Sequence, residues 1–167
     1  MLIRLAGIVP ESYVDGPGIR FTIFVQGCPH NCEGCHNPET HDFAAGRLAD
    51  TDKIYNKIKQ FPLVRGVTFS GGEPFCQPEP LAELAEKLKA DGYHIMSYSG
   101  WTFEQLQKKS ESEPQVKRLL GLLDILVDGR FVLSERTLEL HFRGSRNQRI
   151  IDVPQSLETG KAVTVEL

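Results

Sequence analysis

The apolar residues of this chain fall into short runs that alternate with longer amphipathic stretches. Residues 3–9 (IRLAGIV) alternate loosely and predict a first strand. Residues 19–26 (IRFTIFVQ) are dense in β-branched and aromatic side chains and predict a buried one. Residues 66–70 (GVTFS), 93–98 (YHIMSY) and 123–127 (LDILV) are three further runs of strand length, each closed by turn residues. Between them the spacing becomes helical. Residues 51–60 place Ile54, Tyr55 and Ile58 on one face behind a cap at Asp50 or Thr51. Residues 79–91 carry a stripe of Leu81, Leu84, Ala85 and Leu88, with Pro80 in the first turn and Gly92 at the end. Residues 101–108, capped by Thr102, and 115–122 predict two shorter helices. Residues 11–18, 38–50 and 108–114 predict loops. After Phe131 the pattern weakens, with short extended segments at 138–142 and 150–153 and an edge strand at 162–166.

Strand–loop–helix units in succession predict a parallel sheet. There are too few of them to close an eight-stranded barrel of about 250 residues. The predicted fold is therefore α/β, an open partial (β/α) barrel or curved sheet. One domain is expected over residues 1–167, with a C-terminal extension from about residue 131. Composition changes little in this picture: 40% hydrophobic and 25% charged residues suit a soluble globular chain. A net charge of −3 gives no electrostatic case for a nucleic-acid partner. No apolar run is long enough to cross a bilayer, and residues 1–9 are too short and mixed for a signal peptide. Three of the four cysteines share one loop, unlike the dispersed pairs of a secreted disulfide scaffold, so a reducing cytoplasm is expected.

That loop is where chemistry enters. The strand at 19–26 runs straight into Gly27-Cys28-Pro29-His30-Asn31-Cys32-Glu33-Gly34-Cys35-His36-Asn37, a C-x3-C-x2-C run among loop-forming residues. Three converging thiolates repel one another unless a cation lies between them. Zinc, with His30, His36, His41 or Cys76 as fourth ligand, is one reading. A [4Fe–4S] cluster with one iron left open is another, and plain structural thiols or a disulfide are a third. Spacing leaves all three open. His41 by itself reads as a solvated loop residue.

Other strand ends carry charged, glycine-containing turns. Gly71-Gly72-Glu73-Pro74 follows the strand at 66–70. Its bare backbone suits the amine or carboxylate of a small ligand, with Glu73 adding a charge; the plainer reading is a turn before a helix. Asp128-Gly129-Arg130 follows the strand at 123–127. Asp15-Gly16-Pro17-Gly18, just ahead of Arg20, reads first as a tight turn, and second as a grip on another peptide's main chain. Residues 143–149 hold three arginines, either a solvated loop or a clamp for a carboxylate or an acidic partner surface. Cys76 reads as a small buried filler.

On these residues the chain resembles the radical S-adenosylmethionine (SAM) enzymes. Cys28, Cys32 and Cys35 match their cysteine signature, and Gly71-Gly72-Glu73-Pro74 matches their second motif. Asp15-Gly16-Pro17-Gly18-Ile19-Arg20 and Cys35-His36-Asn37 look like the activating enzymes of glycyl-radical proteins. The short length, the VDGRF run from Val127 and the tail Arg143-Gly144-Ser145…Asn147-Gln148-Arg149 are similar to the members serving anaerobic ribonucleoside-triphosphate reductases. The resemblance spans about residues 7–153. It departs at Gly34, where many members have an aromatic residue, and at Cys76, which matches no functional position.

The resemblance implies that Cys28, Cys32 and Cys35 hold three irons of a [4Fe–4S] cluster, and that the fourth iron binds the amino and carboxylate groups of SAM. Gly71, Gly72 and Glu73 would seat the methionyl amine. Gly34, His36 and Asn37 would lie against SAM, and Asp128, Gly129 and Arg130 would close the far side. An electron from a donor such as flavodoxin would cleave SAM to methionine and a 5′-deoxyadenosyl radical. That radical would take a hydrogen from a glycine on the large subunit of an anaerobic ribonucleotide reductase, with no side chain acting as acid or base. Asp15, Gly16, Gly18 and Arg20 would then grip the partner's backbone. The competing expectations are an activator of another glycyl-radical enzyme, a small-molecule radical SAM enzyme, and a non-enzymatic zinc or iron–sulfur module.

Overall fold

In chain order the computed structural model, which describes residues 1–167, runs β1 (Leu2–Ser12), β2 (Arg20–Val25), β3 (Arg47–Asp50), α1 (Thr51–Ile58), β4 (Gly66–Gly71), α2 (Pro78–Ala90), β5 (His94–Ser99), α3 (Phe103–Ser110), α4 (Pro114–Leu122), β6 (Ile125–Asp128), β7 (Arg149–Asp152) and α5 (Val153–Thr159). The strands make one sheet in the order β3-β1-β2-β4-β5-β6-β7. Its centre, β2-β4-β5-β6, is parallel, while β1, β3 and β7 run antiparallel to their neighbours. β3 and β7 are the two ends of the order and do not pair with each other, so the sheet is an open partial barrel of α/β class.

Strand alternation divides the interior in two. Phe21, Ile23 and Val25 of β2, Val67 and Phe69 of β4, Ile95 and Leu126 face a core to which all five helices contribute. Met96, Ile125, Val127 and Ile150 point the other way, where Tyr98 and Phe142 pack on them. The helices lie on the first face because their apolar stripes match it: Leu81, Leu84, Ala85 and Leu88 of α2 are all fully buried. Asp50 caps α1 by accepting from Asp52 N–H, and Thr102 and Gln105 form a reciprocal capping box on α3. No helix is long and apolar enough to cross a membrane.

Several elements differ from the sequence expectation. β1 continues past Val9, through a register shift, to pair Ser12 with Arg20. The predicted loop at 38–50 ends in β3, which exists because β1 offers it an edge. Residues 138–142 form no strand, and at 162–166 there is a single bridge, Thr164 to Ile151. α5 was not expected, although Asp152 caps it, Pro154 lies in its first turn and Gly160 ends it at φ 77°.

Arg20 requires a correction. It is 2% exposed and lies at the amino end of β2, the opposite end from the cysteine loop. Its guanidinium donates to Thr68 Oγ1 (2.7 Å), Pro17 O (3.1 Å), Val67 O (3.0 Å) and His94 Nδ1 (3.1 Å). With its donors taken up internally it cannot grip a partner's backbone. Gly16 is buried as well, its Cα hydrogens facing the Arg20 side chain and Met96. Asp15 and Gly18 alone of the four stay accessible.

Arg20 also sets a pH dependence. Burial, and then the Arg20 charge, hold His94 below its ordinary pKa of 6.5. The unfolded chain therefore binds the extra proton first. The stabilisation is fully present above pH 6.5 and is lost as pH falls toward the depressed folded value. The urea midpoint should drop between about pH 7 and about pH 5.5, and His94→Asn should flatten that part of the profile.

Candidate active site

β2, β4, β5 and β6 all end on one edge of the sheet, so the turns that follow them meet there. The cysteine loop leaves β2 and is tied down at its base. Gly27 N–H donates to Thr40 O (2.7 Å), Cys28 N–H to His41 O (3.2 Å), and Gln26 Nε2 to Glu39 O (2.9 Å) and Asp42 O (2.7 Å). Inside the loop Asn31 takes a left-handed conformation (φ 50°), which asparagine tolerates. Cys35 N–H donates to Cys32 O (3.2 Å), and Asn37 N–H points at Cys35 Sγ (3.4 Å).

Cys28, Cys32 and Cys35 are free, half-buried, and together line a cavity of about 640 Å³. Ser70, Gly71 and Gly72 continue its wall after β4, Tyr98, Ser99 and Gly100 after β5, and Gly129 and Arg130 after β6. Phe24, Val9 and Asp15 line the β1–β2 side, and Phe142, Arg143 and Gly144 the other. His36 and Asn37 also face it. Burial pushes the Cys28 thiol up, and Glu73, Cys32 and Cys35 push it further. Three thiols so placed ionise together only around a cation.

No three His, Cys, Asp or Glu side chains are gathered closely enough to hold a single metal ion. An iron–sulfur cube, being larger than a single ion, takes its thiolates further apart than such a site does. His30 is not a ligand: it is buried, with Nε2 2.6 Å from Glu73 Oε1. Cys76 does not line the cavity. Burial, with Glu73 and Cys28 adding, pushes its thiol up to about 12.

Three other expectations need correcting. Glu73 offers no charge to the cavity, being fully buried. Its carboxylate accepts from His30 Nε2, Gly100 N–H (2.7 Å), Phe75 N–H (2.9 Å) and Ser99 Oγ (3.0 Å), and so binds the cysteine loop to the ends of β4 and β5. Asp128 is likewise turned inward. It accepts from Phe103 N–H (2.7 Å) at the start of α3 and from Arg149 (Nε, 3.1 Å), which also holds Glu104. Gly34 is exposed and lies against Leu133 and Phe131 rather than the cavity.

The two glycines at the end of β4 do reach the cavity, for a more specific reason than expected. Gly72 N–H donates to Val25 O (2.9 Å) and Glu73 N–H to Gly27 O (2.8 Å). A Cβ at Gly72 would fall 2.4 Å from Gly27 O, so only glycine lets the two turns touch. With those N–H groups taken, the turn has carbonyl oxygens to offer. It suits an ammonium group, not a carboxylate.

One feature was missed by the sequence reading, and a second was offered there only as an alternative. His30 and Ser99 hold Glu73, and nothing local to either residue signals it. Arg143 lines the cavity with its Nε buried and without a partner, next to Phe142, which is held at φ 61°. A strained residue beside a buried donor without a protein partner is a feature that functional sites carry. The arginine-rich tail was the available signal.

A cysteine trio on the carboxyl edge of a parallel sheet, opening onto a cavity of about 640 Å³, fits an iron–sulfur protein, and with the Gly-Gly-Glu-Pro turn on the same cavity it fits the radical SAM class. Residues 14–151 match the family described as "4Fe-4S single cluster domain". The anaerobic ribonucleoside-triphosphate reductase-activating protein of Haemophilus influenzae is 34% identical over 149 residues, 84% of this chain and 92% of the relative. Its namesake from Escherichia coli K12 is 35% identical over 147 residues, 83% and 92%. The pyruvate formate-lyase-activating enzyme of Clostridium pasteurianum is 35% identical over 131 residues, 73% of this chain but 52% of that enzyme. The chain belongs to the single-cluster 4Fe–4S family and, within it, to the anaerobic ribonucleoside-triphosphate reductase-activating proteins.

Proposed function

We propose that this protein is a cytoplasmic radical SAM enzyme that generates a glycyl radical on the large subunit of an anaerobic ribonucleoside-triphosphate reductase, drawing electrons from a carrier such as flavodoxin. The observation that carries the reading is the placement of three free cysteines on one lip of a cavity whose next lip is a carbonyl-bearing Gly-Gly turn. When bound, the cluster supplies the electron that breaks a carbon–sulfur bond of SAM and so yields the 5′-deoxyadenosyl radical.

The chain's own residues do the rest. Cys28, Cys32 and Cys35 hold the cluster, and the Asn37 N–H turned to Cys35 Sγ stabilises charge on that sulfur. The carbonyls at Gly71 and Gly72 accept the methionyl ammonium. Arg130 and Arg143, which make no ion pair within the chain, take its carboxylate. Phe24, Tyr98 and Phe142 wall the cavity and keep water from the reacting centre. His36, Asn37 and Gly129 complete the lining. Asp15, whose carboxylate accepts from Ser12 Oγ, lines the cavity on the β1–β2 side and would meet the partner's polypeptide there, with the exposed Gly18 beside it in the same turn.

Anaerobic incubation of the reconstituted chain with SAM, a reductant and the reductase should give methionine and an EPR doublet on the reductase. Intact SAM, or cleavage without the doublet, would count against the reading. Arg143 has its own test. Arg143→Gln should weaken SAM binding by roughly tenfold or more, the worth of a charge-assisted hydrogen bond. It should leave the binding of decarboxylated SAM nearly unchanged. Equilibrium dialysis against both ligands makes the comparison.

A further inference from the structure

The tail from Arg143 leads into β7, which pairs antiparallel with β6 so that Arg149 lies opposite Asp128. Beyond the strand ends the pairing continues through side chains. Arg149 Nε donates to Asp128 Oδ1 (3.1 Å), Gln148 Nε2 to Gly129 O (3.0 Å) and Asn147 Nδ2 to Arg130 O (2.8 Å). Each tail residue thus takes the next residue of the turn after β6. Gly129 can present its carbonyl in this way because it sits at φ 98°, in the left-handed region.

Gln148 also reaches a second turn. While its Nε2 holds Gly129 O, its Oε1 accepts from Gly144 N–H (2.8 Å) and Ser145 N–H (3.2 Å). The amide fits only one way round, since a flip would set NH2 against two N–H donors. One side chain therefore spans the turn 128–130, which carries Arg130, and the turn 143–145, which carries Arg143. Both arginines line the main cavity, as does Gln148. Of the other tail arginines, Arg149 is held by Asp128 and Glu104, and Arg146 stands 4.0 Å from Glu139. Arg143 keeps a buried Nε without a partner. Two free guanidiniums on one cavity repel each other. The chain between them has little regular structure to resist this, one 3-10 turn (Leu133–Glu135) and the lone Arg136–Ser145 bridge. Buried Ser145 braces the amide's surroundings: its Oγ accepts from Val132 N–H (3.2 Å) and donates to Asn147 Oδ1 (2.6 Å). Ser145, Asn147 and Gln148 are thus directed at the chain's own turns, not at an outside partner.

We propose that Gln148 is a positioning residue: its amide fixes the separation of the Arg130 and Arg143 turns, so that both guanidiniums close on one carboxylate, that of bound SAM. A carboxylate accepts two charge-assisted donors together only when they stand at a set spacing. The amide supplies that spacing before the ligand arrives, so the fold and not the ligand overcomes the repulsion between the two cations. No bond of Gln148 forms or breaks. The assignment rests on the reading of the two arginines given above.

Anaerobic calorimetric titration of the cluster-loaded chain with SAM and with decarboxylated SAM tests this. Gln148→Ala should weaken SAM binding about tenfold, the worth of one misplaced charge-assisted hydrogen bond, and decarboxylated SAM by less than about twofold. Gln148→Asn keeps the amide but shortens its stem by a methylene, and should fail in the same way. Because Gln148 acts on a pair, it should matter only while both members are present. Gln148→Ala added to Arg143→Gln should therefore weaken SAM little beyond Arg143→Gln alone. Iron and acid-labile sulfide per chain should stay at the wild-type level throughout. Equal weakening of both ligands would overturn the proposal, as would wild-type SAM affinity in Gln148→Ala or full rescue by Gln148→Asn. Additive losses in the double variant, or loss of the cluster, would overturn it too. Failure of the parent reading looks different: the wild-type chain would itself bind the two ligands alike, or would leave SAM intact even with dithionite.

Discussion

Cys28→Ala, Cys32→Ala or Cys35→Ala should each leave a folded chain that assembles no stable [4Fe–4S] cluster and cleaves essentially no SAM, whereas Cys76→Ala should keep both. The three loop cysteines are half-buried and belong to neither hydrophobic cluster. Truncating one should shift the urea midpoint by no more than about 0.5 kcal/mol in free energy, the range of substitutions outside the core. The loss is chemical: a cube anchored at two corners exposes a second iron to solvent. Cys76 is as buried as the others, yet its thiol is pushed up to about 12 and it is absent from the cavity wall. Iron and acid-labile sulfide per chain, with the cluster absorbance, would decide the matter after anaerobic reconstitution. A full cluster in any of the three variants, or its loss in Cys76→Ala, would mean that the ligand set is drawn wrongly.

The second large effect belongs to Glu73, and it should appear in stability before it appears in chemistry. Glu73→Ala removes the acceptor for His30 Nε2, Ser99 Oγ, Gly100 N–H and Phe75 N–H at once, in a place water does not reach. Leaving a buried donor without its acceptor costs about 1–3 kcal/mol, and four donors lose theirs together. Against a total stability of about 5–15 kcal/mol that is a large fraction. Glu73→Gln keeps one oxygen but sets an NH2 group against N–H donors, so it should lie between the two. Urea unfolding of the apo chains measures this directly. If Glu73 instead faced a ligand, its loss would spare stability and reduce only SAM affinity.

The same contrast explains what could be read from the residues in order. The cysteine loop and the strand feeding it were legible because a buried β run ending in C-x3-C-x2-C is a local pattern. The four parallel strands and the helices α1 to α4 were legible too, since periodicity and caps are also local. β3 was not: Arg47–Asp50 has no strand signature and pairs only because β1, over forty residues earlier, presents an edge. The arginine-rich tail was visible as charge. Its division of labour was not, for Arg149 holds Asp128 and Glu104 while Arg143 is left free for the cavity.

Arg20, Glu73 and Asp128 show the limit most clearly. Each stands in a glycine-containing motif beside a strand end, and each read as a group facing a ligand or partner. In the folded chain all three are buried and fully engaged with protein donors or acceptors. Sequence alone determined the α/β class, the position of the thiol trio at a strand's carboxyl end and the glycines that let two turns approach. Tertiary structure decided which charged residues open onto the cavity and which brace its walls. A side chain's polarity is fixed by its own atoms, but its partner is chosen by strands and turns distant in sequence that packing brings within hydrogen-bond reach.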